Sequence, residues 1–415
     1  MKFETVSVIG LGYIGLPTAA ILASRGLNVV GVDVSEKTVA TINNGEVHIV
    51  EPDLDIVVRA AVATGKLRAT NTPEPAHAFM VAVPTPFKGN NHEPDLSYIE
   101  AAAKSIAPVL EKGNLVILES TSPVGTTEKL ADWLKTARPD LSFPQDAGNS
   151  ADVKIAHCPE RVLPGYVLQE LVSNDRVIGG MSEACSERAV ELYKIFVKAD
   201  CIISNARTAE MAKLTENAFR DVNIAFANEL SVISDKLKIN VWELIRIANR
   251  HPRVNILNPG PGVGGHCIAV DPWFIVDSCP EEANIIRQAR HTNDSKPVYV
   301  IDKISEAADQ FKSPVVACLG LAFKADIDDL RESPAVQIVE SLIERKVGQV
   351  IAVEPNILAH EMPDSLTNAE IPLIGLEAAL EIANVVVVLV DHKEFKTADK
   401  SLFSTKVVID SRGII

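Results

Sequence analysis

The sequence predicts an α/β protein: two Rossmann-like, doubly wound domains joined by a helical middle domain with one long central helix. Three observations predict it. Apolar strand-like runs alternate with helical patterns at both ends of the chain. A glycine turn separates the first strand pattern from the first helix pattern. Residues 208–236 carry apolar side chains at helical spacing and contain neither proline nor glycine. The domain boundaries expected from this pattern are 1–200, 201–312 and 313–415.

Residues 5–10, Thr-Val-Ser-Val-Ile-Gly, read as a buried strand, and the turn from Gly10 to Gly15 leads into a helix ending near Ser24. Residues 29–32 form the next strand, which stops at Asp33, so the first stretch is a βαβ unit. Strand-like runs follow at 79–83, 115–119 and 153–156. Turn residues come after the first two: Pro-Thr-Pro at 84–86 and Ser-Thr-Ser-Pro-Val-Gly at 120–125. Ligands of open α/β sheets bind at the carboxyl ends of strands, so these turns are expected to face one crevice. After the long helix, Asn240 is a suitable N-cap for a helix over 241–249. The segment 259–267, Pro-Gly-Pro-Gly-Val-Gly-Gly-His-Cys, is too rich in glycine to be an element interior. Helical patterns resume to about Phe311. Strands are then expected at 315–321, 350–353, 385–390 and 407–410, with a helix over 334–344.

A chain of 415 residues with 47% hydrophobic residues has material for several cores. Lysine and arginine number 40 against 55 acids, a formal charge of −15. That balance disfavours nucleic acid or an anionic membrane as partner and confines any basic site to a local pocket. The six cysteines form no Cys-x-x-Cys pair, which argues against a disulfide framework or structural zinc and fits a reducing cytoplasm. Glu4 and three glycines break the amino-terminal apolar stretch, so no signal peptide is expected. The later apolar run 385–390 is far too short to span a bilayer.

Gly10-Leu-Gly12-Tyr13-Ile14-Gly15 fits the dinucleotide fingerprint. The first glycine permits the tight turn, the second admits a pyrophosphate to the backbone, and the third lets helix pack on strand. Asp33 lies eighteen residues beyond Gly15 at a strand end, where a carboxylate accepts from the adenosine ribose. A 2′-phosphate would meet that like charge, and Val34, Ser35 and Glu36 supply no compensating base, so the cofactor reads as NAD and not NADP. Cys267 ends the glycine-rich loop, four residues before Asp271. A thiol there is either a small core residue or a nucleophile served by loop N–H groups. His266 beside it does not make a zinc site, because adjacent residues rarely ligate one metal together. Lys213, Asn217 and Arg220 share one helical face, as a ligand site or as an ordinary solvated stripe. Glu160 and Arg161 follow the 153–156 run, where a carboxylate can activate water and a guanidinium can hold phosphate. Lys324 and Arg331 follow the 315–321 strand, and basic groups at a strand's ligand end point to phosphate contacts or surface ion pairs.

Taken together the motifs resemble the UDP-glucose/GDP-mannose dehydrogenase family over nearly the whole chain. Gly-Leu-Gly-Tyr-Ile-Gly-Leu-Pro17, Val-Pro-Thr-Pro86, Ser-Thr-Ser-Pro-Val-Gly125, Gly-Gly-His-Cys267 and Phe-Lys324 with Arg-Glu-Ser333 fall in the family's order. Cys-Pro-Glu-Arg161, Arg-His-Pro-Arg253 and the run from Pro259 to Trp273 resemble the branch that oxidises UDP-N-acetyl-D-mannosamine to its uronate for bacterial surface polysaccharide. Three positions depart from the UDP-glucose branch: Pro164 replaces a glutamate, Val270 a lysine and His266 a serine.

The resemblance implies an NAD-dependent four-electron oxidation at C6 of a UDP-sugar, with Cys267 as nucleophile through a thiohemiacetal and a thioester. Lys213 and Asn217 become the oxyanion partners, Lys213 or a water held by Asp271 the base for the C6 alcohol, and Glu160 the water activator. Thr85, Thr126 and Arg331 join the cofactor site. Arg161, Val162, Arg220, His251, Arg253, Gly264 and Lys324 join Lys213 and Asn217 at the substrate. No metal is implied, and a cytoplasmic homodimer built on the long helix is. Three rival readings are another UDP-sugar 6-dehydrogenase, acting on UDP-N-acetylglucosamine or UDP-glucose; a two-electron hydroxyacid dehydrogenase, which lacks a use for Cys267; and a non-catalytic NAD-binding module.

Overall fold

The computed structural model describes residues 2–89, 92–163, 165–265 and 267–415. By its internal contacts the chain divides into two units, Met1–Thr215 and Glu216–Ile415.

The first unit is built on an eight-stranded sheet ordered β10-β9-β8-β7-β4-β1-β2-β3. Its strands are β1 (Thr5–Ile9), β2 (Asn28–Val32), β3 (Leu67–Thr70), β4 (Ala78–Val81), β7 (Leu115–Leu118), β8 (Lys154–His157), β9 (Arg176–Gly180) and β10 (Cys201–Asn205). The two-stranded hairpin of β5 (Phe87–Lys88) and β6 (Glu93–Pro94) stands apart. All pairings in the large sheet are parallel except β8 with β9. The run β3-β2-β1-β4-β7-β8 is the doubly wound order, with its switch point between β1 and β4. The central strands are buried on both faces, which is why Ala78–Val81 and Leu115–Leu118 are unbroken apolar runs. Helices Gly15–Ser24 and Leu54–Ala63 close one face through Leu16, Leu22, Leu54 and Val58. Helices Ser97–Ile106 and Thr126–Ala137 close the other through Ile99, Ile106, Leu130 and Leu134.

The second unit holds a four-stranded parallel sheet ordered β12-β11-β13-β14, from β11 (Val315–Leu319), β12 (Gln349–Val353), β13 (Val385–Val388) and β14 (Val407–Asp410). Helix Pro334–Glu344 and the end of helix Asn284–Ala308 pack on it through Ile338, Val339, Ile301 and Ile304. The long helix, Ala206–Leu237, begins in the first unit and ends in the second. Asn240 caps helix Val241–Ala248 as expected, its side chain accepting from Glu243 N at 3.0 Å.

The strand-to-turn geometry of the first unit recurs in the second. Gly10 and Gly320 have φ of 91° and 93°. Their N–H groups donate to Val32 O and Val353 O, each at 2.8 Å. Leu11 N donates to Asp33 Oδ2 at 3.0 Å, and Leu321 N donates to Glu354 Oε2 at 2.7 Å. Both units therefore use an acid at the end of the second strand to fix the turn after the first.

Candidate active site

The cofactor turn explains each of its glycines. A Cβ on Gly10 would lie 2.6 Å from Ala82 O, and one on Gly15 would lie 1.8 Å from Gly10 O. Around Gly12 such an atom would meet nothing within 4 Å, so the backbone is open there to a bulky group. Helix Gly15–Ser24 starts at Ile14 with no side-chain cap among the described residues; Leu16 N donates to Gly12 O at 3.1 Å and Pro17 has no N–H, so an anion there would be met by the N–H groups of the turn itself. Tyr13 is exposed beside them. Asp33 Oδ1 accepts from Ser35 N at 2.9 Å, so the carboxylate is held in place at the strand end with lone pairs remaining. The Thr85 hydroxyl is buried without a partner among the described residues, an orphan that a ligand group would satisfy. An open glycine cradle, an uncapped helix start, a fixed acid and an orphan hydroxyl fit a dinucleotide.

Thr126, the first residue of its helix, is buried, and its hydroxyl donates to Pro123 O at 2.6 Å. The start of that helix is already filled. Glu210, from the long helix, accepts from Gly125 N at 2.6 Å and from Thr127 N at 2.7 Å.

Glu160 sits just beyond β8 and is buried. Arg176 Nη1 donates to its Oε2 at 2.6 Å, and Arg161 N donates to its Oε1 at 2.6 Å. Arg161 itself reaches Asp175 O at 3.3 Å, and Val162 packs on the core. A second acid stands close by. Glu119 ends the β7 run and is buried, with Tyr193 Oη donating to its Oε1 at 2.7 Å. Its Oε2 has no hydrogen-bond partner among the described residues. Burial above all, with the Glu160 charge beside it, pushes the Glu119 carboxyl up to about 7. Sequence reading passed over Glu119 and Arg176. The available signal was an acid directly closing an apolar strand at its ligand end; a lone arginine opening a short strand gives none.

On the long helix Lys213 and Asn217 are half-buried and Arg220 is exposed. Asn217 Nδ2 donates to Asp271 Oδ2 at 2.5 Å. Asp271 is buried at the start of helix Asp271–Ser278, and its own N–H donates to Cys267 O at 2.9 Å. Cys267 is exposed. Of the other cysteines, burial holds Cys158 and Cys318 protonated with pKa values near 12, so neither is a nucleophile. Cys185 is buried beneath Ile155 N. Cys201 lies on edge strand β10, and Cys279 follows a helix end without a glycine loop.

The loop leading to Cys267 needs its glycines for close approach. A Cβ on Gly262 would fall 2.8 Å from the Pro334 ring, and one on Gly264 would fall 2.5 Å from Glu332 O. Gly265 adopts φ of 83°. Lys324 and Arg331 lie exposed on the segment after β11, where Arg331 pairs with Asp329 at 2.5 Å. His251 and Arg253 are exposed after helix Val241–Ala248, and Arg253 N donates to His251 Nδ1 at 3.4 Å. Pro164 and His266 lie outside the described residues. Among the described residues no group of three or more His, Cys, Asp or Glu is placed to hold a metal, and no helix is long and apolar enough to cross a membrane.

Comparison with known proteins bears on all of this. Three family models match in order: the NAD binding domain of the UDP-glucose/GDP-mannose dehydrogenase family over residues 4–197, its central domain over 207–295 and its UDP binding domain over 317–415. An NDP-N-acetyl-D-galactosaminuronic acid dehydrogenase of Ralstonia nicotianae is 63% identical over 414 residues, covering 100% of this chain and 97% of its own. A UDP-N-acetyl-D-mannosamine dehydrogenase of Campylobacter jejuni is 64% identical over 395 residues, covering 95% and 97%. The solved structure of a UDP-D-ManNAc dehydrogenase from Pyrococcus horikoshii superposes with a TM-score of 0.88 at 40% identity, covering 99% of this chain and 96% of that one.

Proposed function

The chain belongs to the UDP-glucose/GDP-mannose dehydrogenase family, and within that NAD-dependent UDP-sugar dehydrogenase activity we propose UDP-N-acetyl-D-mannosamine as the substrate, oxidised at C6 to the uronate through Cys267. The observation that carries the reading is the exposed Cys267 thiol at the end of a glycine loop, with its carbonyl tied to Asp271 and Asp271 tied to Asn217. The mannosamine assignment is supported by the Campylobacter jejuni relative and the Pyrococcus horikoshii structure. The Ralstonia nicotianae relative, of nearly equal identity, favours a galactosamine-type sugar as the second reading.

NAD, when bound, supplies the hydride acceptor for each of the two oxidations; the remaining work falls to the protein. Gly10, Gly12, Tyr13, Ile14, Gly15, Asp33, Thr85, Thr126 and Arg331 are proposed to hold it. The C6 alcohol gives up its proton to Lys213 or to a water on Asp271 as it becomes an aldehyde. Cys267, its thiol proton passed to water, then bonds through sulfur to the aldehyde carbon, and the carbonyl electron pair moves onto oxygen. Lys213 and Asn217 stabilise that oxyanion; Asn217 spends one amide N–H on Asp271 and keeps the other for this purpose. Loss of the second hydride leaves a thioester. Water attacks it, Glu160 takes the water's proton, and the thiolate leaves with the bonding pair. Both Glu160 oxygens already hold a hydrogen bond, so the carboxylate is rigid and offers its remaining lone pairs to water. The covalent bond to Cys267 keeps the aldehyde in place between the two oxidations.

Arg161, Val162, Arg220, His251, Arg253, Gly264 and Lys324 are proposed to contact the UDP-sugar. The proposed domain division remains 1–200, 201–312 and 313–415. The proposed assembly is a homodimer: Phe219, Phe226, Ile233 and Leu237 form an exposed apolar stripe on the long helix, with Phe219 and Phe226 exposed by 70% and 54%. A cytoplasmic role in making precursors for surface polysaccharide completes the reading. The test is a panel of UDP-N-acetylmannosamine, UDP-N-acetylgalactosamine, UDP-N-acetylglucosamine, UDP-glucose and GDP-mannose, read by NADH formation. The highest kcat/KM is expected for UDP-N-acetylmannosamine; a higher value for any other member overturns the assignment.

A further inference from the structure

The segment 259–265 carries no helix or strand, so no ladder of its own fixes its course. Its hold comes from a buried polar chain that crosses from the loop to two helices. Gly260 N donates to Asn228 Oδ1 at 2.9 Å. Asn228 Nδ2 donates to Asn293 Oδ1 at 2.9 Å. Asn293 Nδ2 donates to Asp221 Oδ1 at 2.8 Å and to Asp221 O at 3.1 Å. Arg290 Nη1 donates to Asp221 Oδ1 at 2.5 Å. Asn228, Asn293, Asp221 and Arg290 are all buried, with at most 1% of each exposed.

The direction of this chain is forced. Arg290 can only donate, so Asp221 is an anionic acceptor. Asn293 must then turn its amide N–H₂ toward Asp221, which leaves its oxygen facing Asn228. Asn228 must donate in turn, and its oxygen is left for the loop N–H. The charge pair at one end thus orients both amides and presents a single acceptor to Gly260.

The same helix holds the other end of the loop. Asn217 binds Asp271, whose N–H binds Cys267 O. Asn217 and Asn228 lie eleven residues apart, close to three helical turns, so they share a face and stand roughly 16 Å apart along the axis. That face is opposite the exposed Phe219, Phe226 and Ile233 stripe. The long helix therefore pins the loop at two points. Between them Gly262 and Gly264 lie close against Pro334 and Glu332 O, where a Cβ would fall 2.8 Å and 2.5 Å away, so the loop is closely packed along its course.

We propose that Asn228 and Asn293, oriented by the Asp221–Arg290 pair, are positioning residues that set where the Cys267 thiol stands. This rests on the reading of Cys267 as nucleophile.

The test uses the full-length enzyme. Asn228→Ala is expected to lower kcat by about tenfold or more, the order that misplacement of a reacting group by less than an ångström brings. KM for the UDP-sugar should change by less than about threefold, a change too small to account for such a loss. NAD binding should be unchanged, and the second-order rate of Cys267 alkylation by iodoacetamide should shift. Asn293→Ser, one link further away, should move the same quantities in the same direction but less. The double variant should cost less than the sum of the singles, because both break one chain. Wild-type kcat per folded molecule together with wild-type alkylation in either single variant overturns the proposal, as do additive costs. A purely structural role would lower the melting temperature while leaving kcat per folded molecule and thiol reactivity in place, and that result also overturns it. Cys267→Ala, run in parallel, separates the two ideas: if it still forms acid, the nucleophile reading is what has failed.

Discussion

Cys267→Ala is expected to abolish carboxylate release while NAD and UDP-sugar binding persist. An aldehyde cannot lose hydride to give an acid until a nucleophile has added to it, and alanine offers none. Cys267→Ser should turn over very slowly and accumulate an ester visible by mass spectrometry of the intact protein. Uronate released by the alanine variant at near wild-type rate would transfer the chemistry to a hydrated aldehyde. Glu119 bears on stability. Its folded pKa, about 7, lies above the ordinary value of 4.5, so the folded state binds more protons between those values. The protonated form's contribution is complete below about 4.5 and is lost as pH rises through about 7. Glu119→Gln keeps an acceptor for Tyr193 and has no charge to bury. It should gain on the wild type in urea midpoint as pH goes from 5 to 8. An equal difference at both pH values would contradict the burial argument.

At the scale of elements, the long helix has two faces with two tasks. One face carries Asn217, Asp221 and Asn228 inward, and the other carries Phe219, Phe226 and Ile233 outward. For the proposed homodimer, Phe226→Asp should leave the inward contacts intact and shift sedimentation from dimer to monomer; an unchanged dimer would place the interface elsewhere, and a monomeric wild type would contradict the proposed assembly. The amphipathic pattern made this helix legible over 208–236, and it extends only two residues earlier and one later, as Ala206–Leu237. The central strands were legible for the same kind of reason: burial on both faces leaves continuous apolar runs such as Val385–Val388. Expected strands at 5–10, 79–83, 115–119 and 315–321 stop one or two residues sooner, where the chain turns to present its ligand end. Strands β3, β9 and β10 were not legible. β10 is an exposed edge, β3 alternates over four residues, and β9 opens on a buried arginine and ends in two glycines. Those glycines look like a turn, yet packing demands them: a Cβ on Gly179 would lie 2.4 Å from Asn205 O, and one on Gly180 would lie 2.4 Å from Ser186 N. Cys267 and Asn217 were singled out as candidates by spacing, and the role expected of Asp271 came from the family resemblance. Asn228, Asn293 and Arg176 were not legible, because a buried polar side chain has no periodic signature and is defined by a partner distant in sequence.

Across the whole molecule, one strand-turn device serves two ends. In the first unit Asp33 closes the turn at Gly10 and remains half-buried at the strand end. In the second, Glu354 closes the turn at Gly320, but His392 Nε2 sits on its Oε2 at 2.9 Å, and both side chains are fully buried. His392 Nδ1 also accepts from Asp326 N at 2.9 Å, which ties down the segment that carries Lys324. The acid at this position is thus sealed by His392 in the second unit, while in the first it keeps lone pairs at the strand end, which fits a dinucleotide there. In the proposed four-electron oxidation that site would serve both hydride transfers for each sugar, with the cofactor exchanged between them. The measurement that tests this most directly is the number of NADH formed per UDP-N-acetylmannosamine consumed. The account predicts two, with the uronate as the only sugar product; one NADH per sugar, with the aldehyde released, would contradict it.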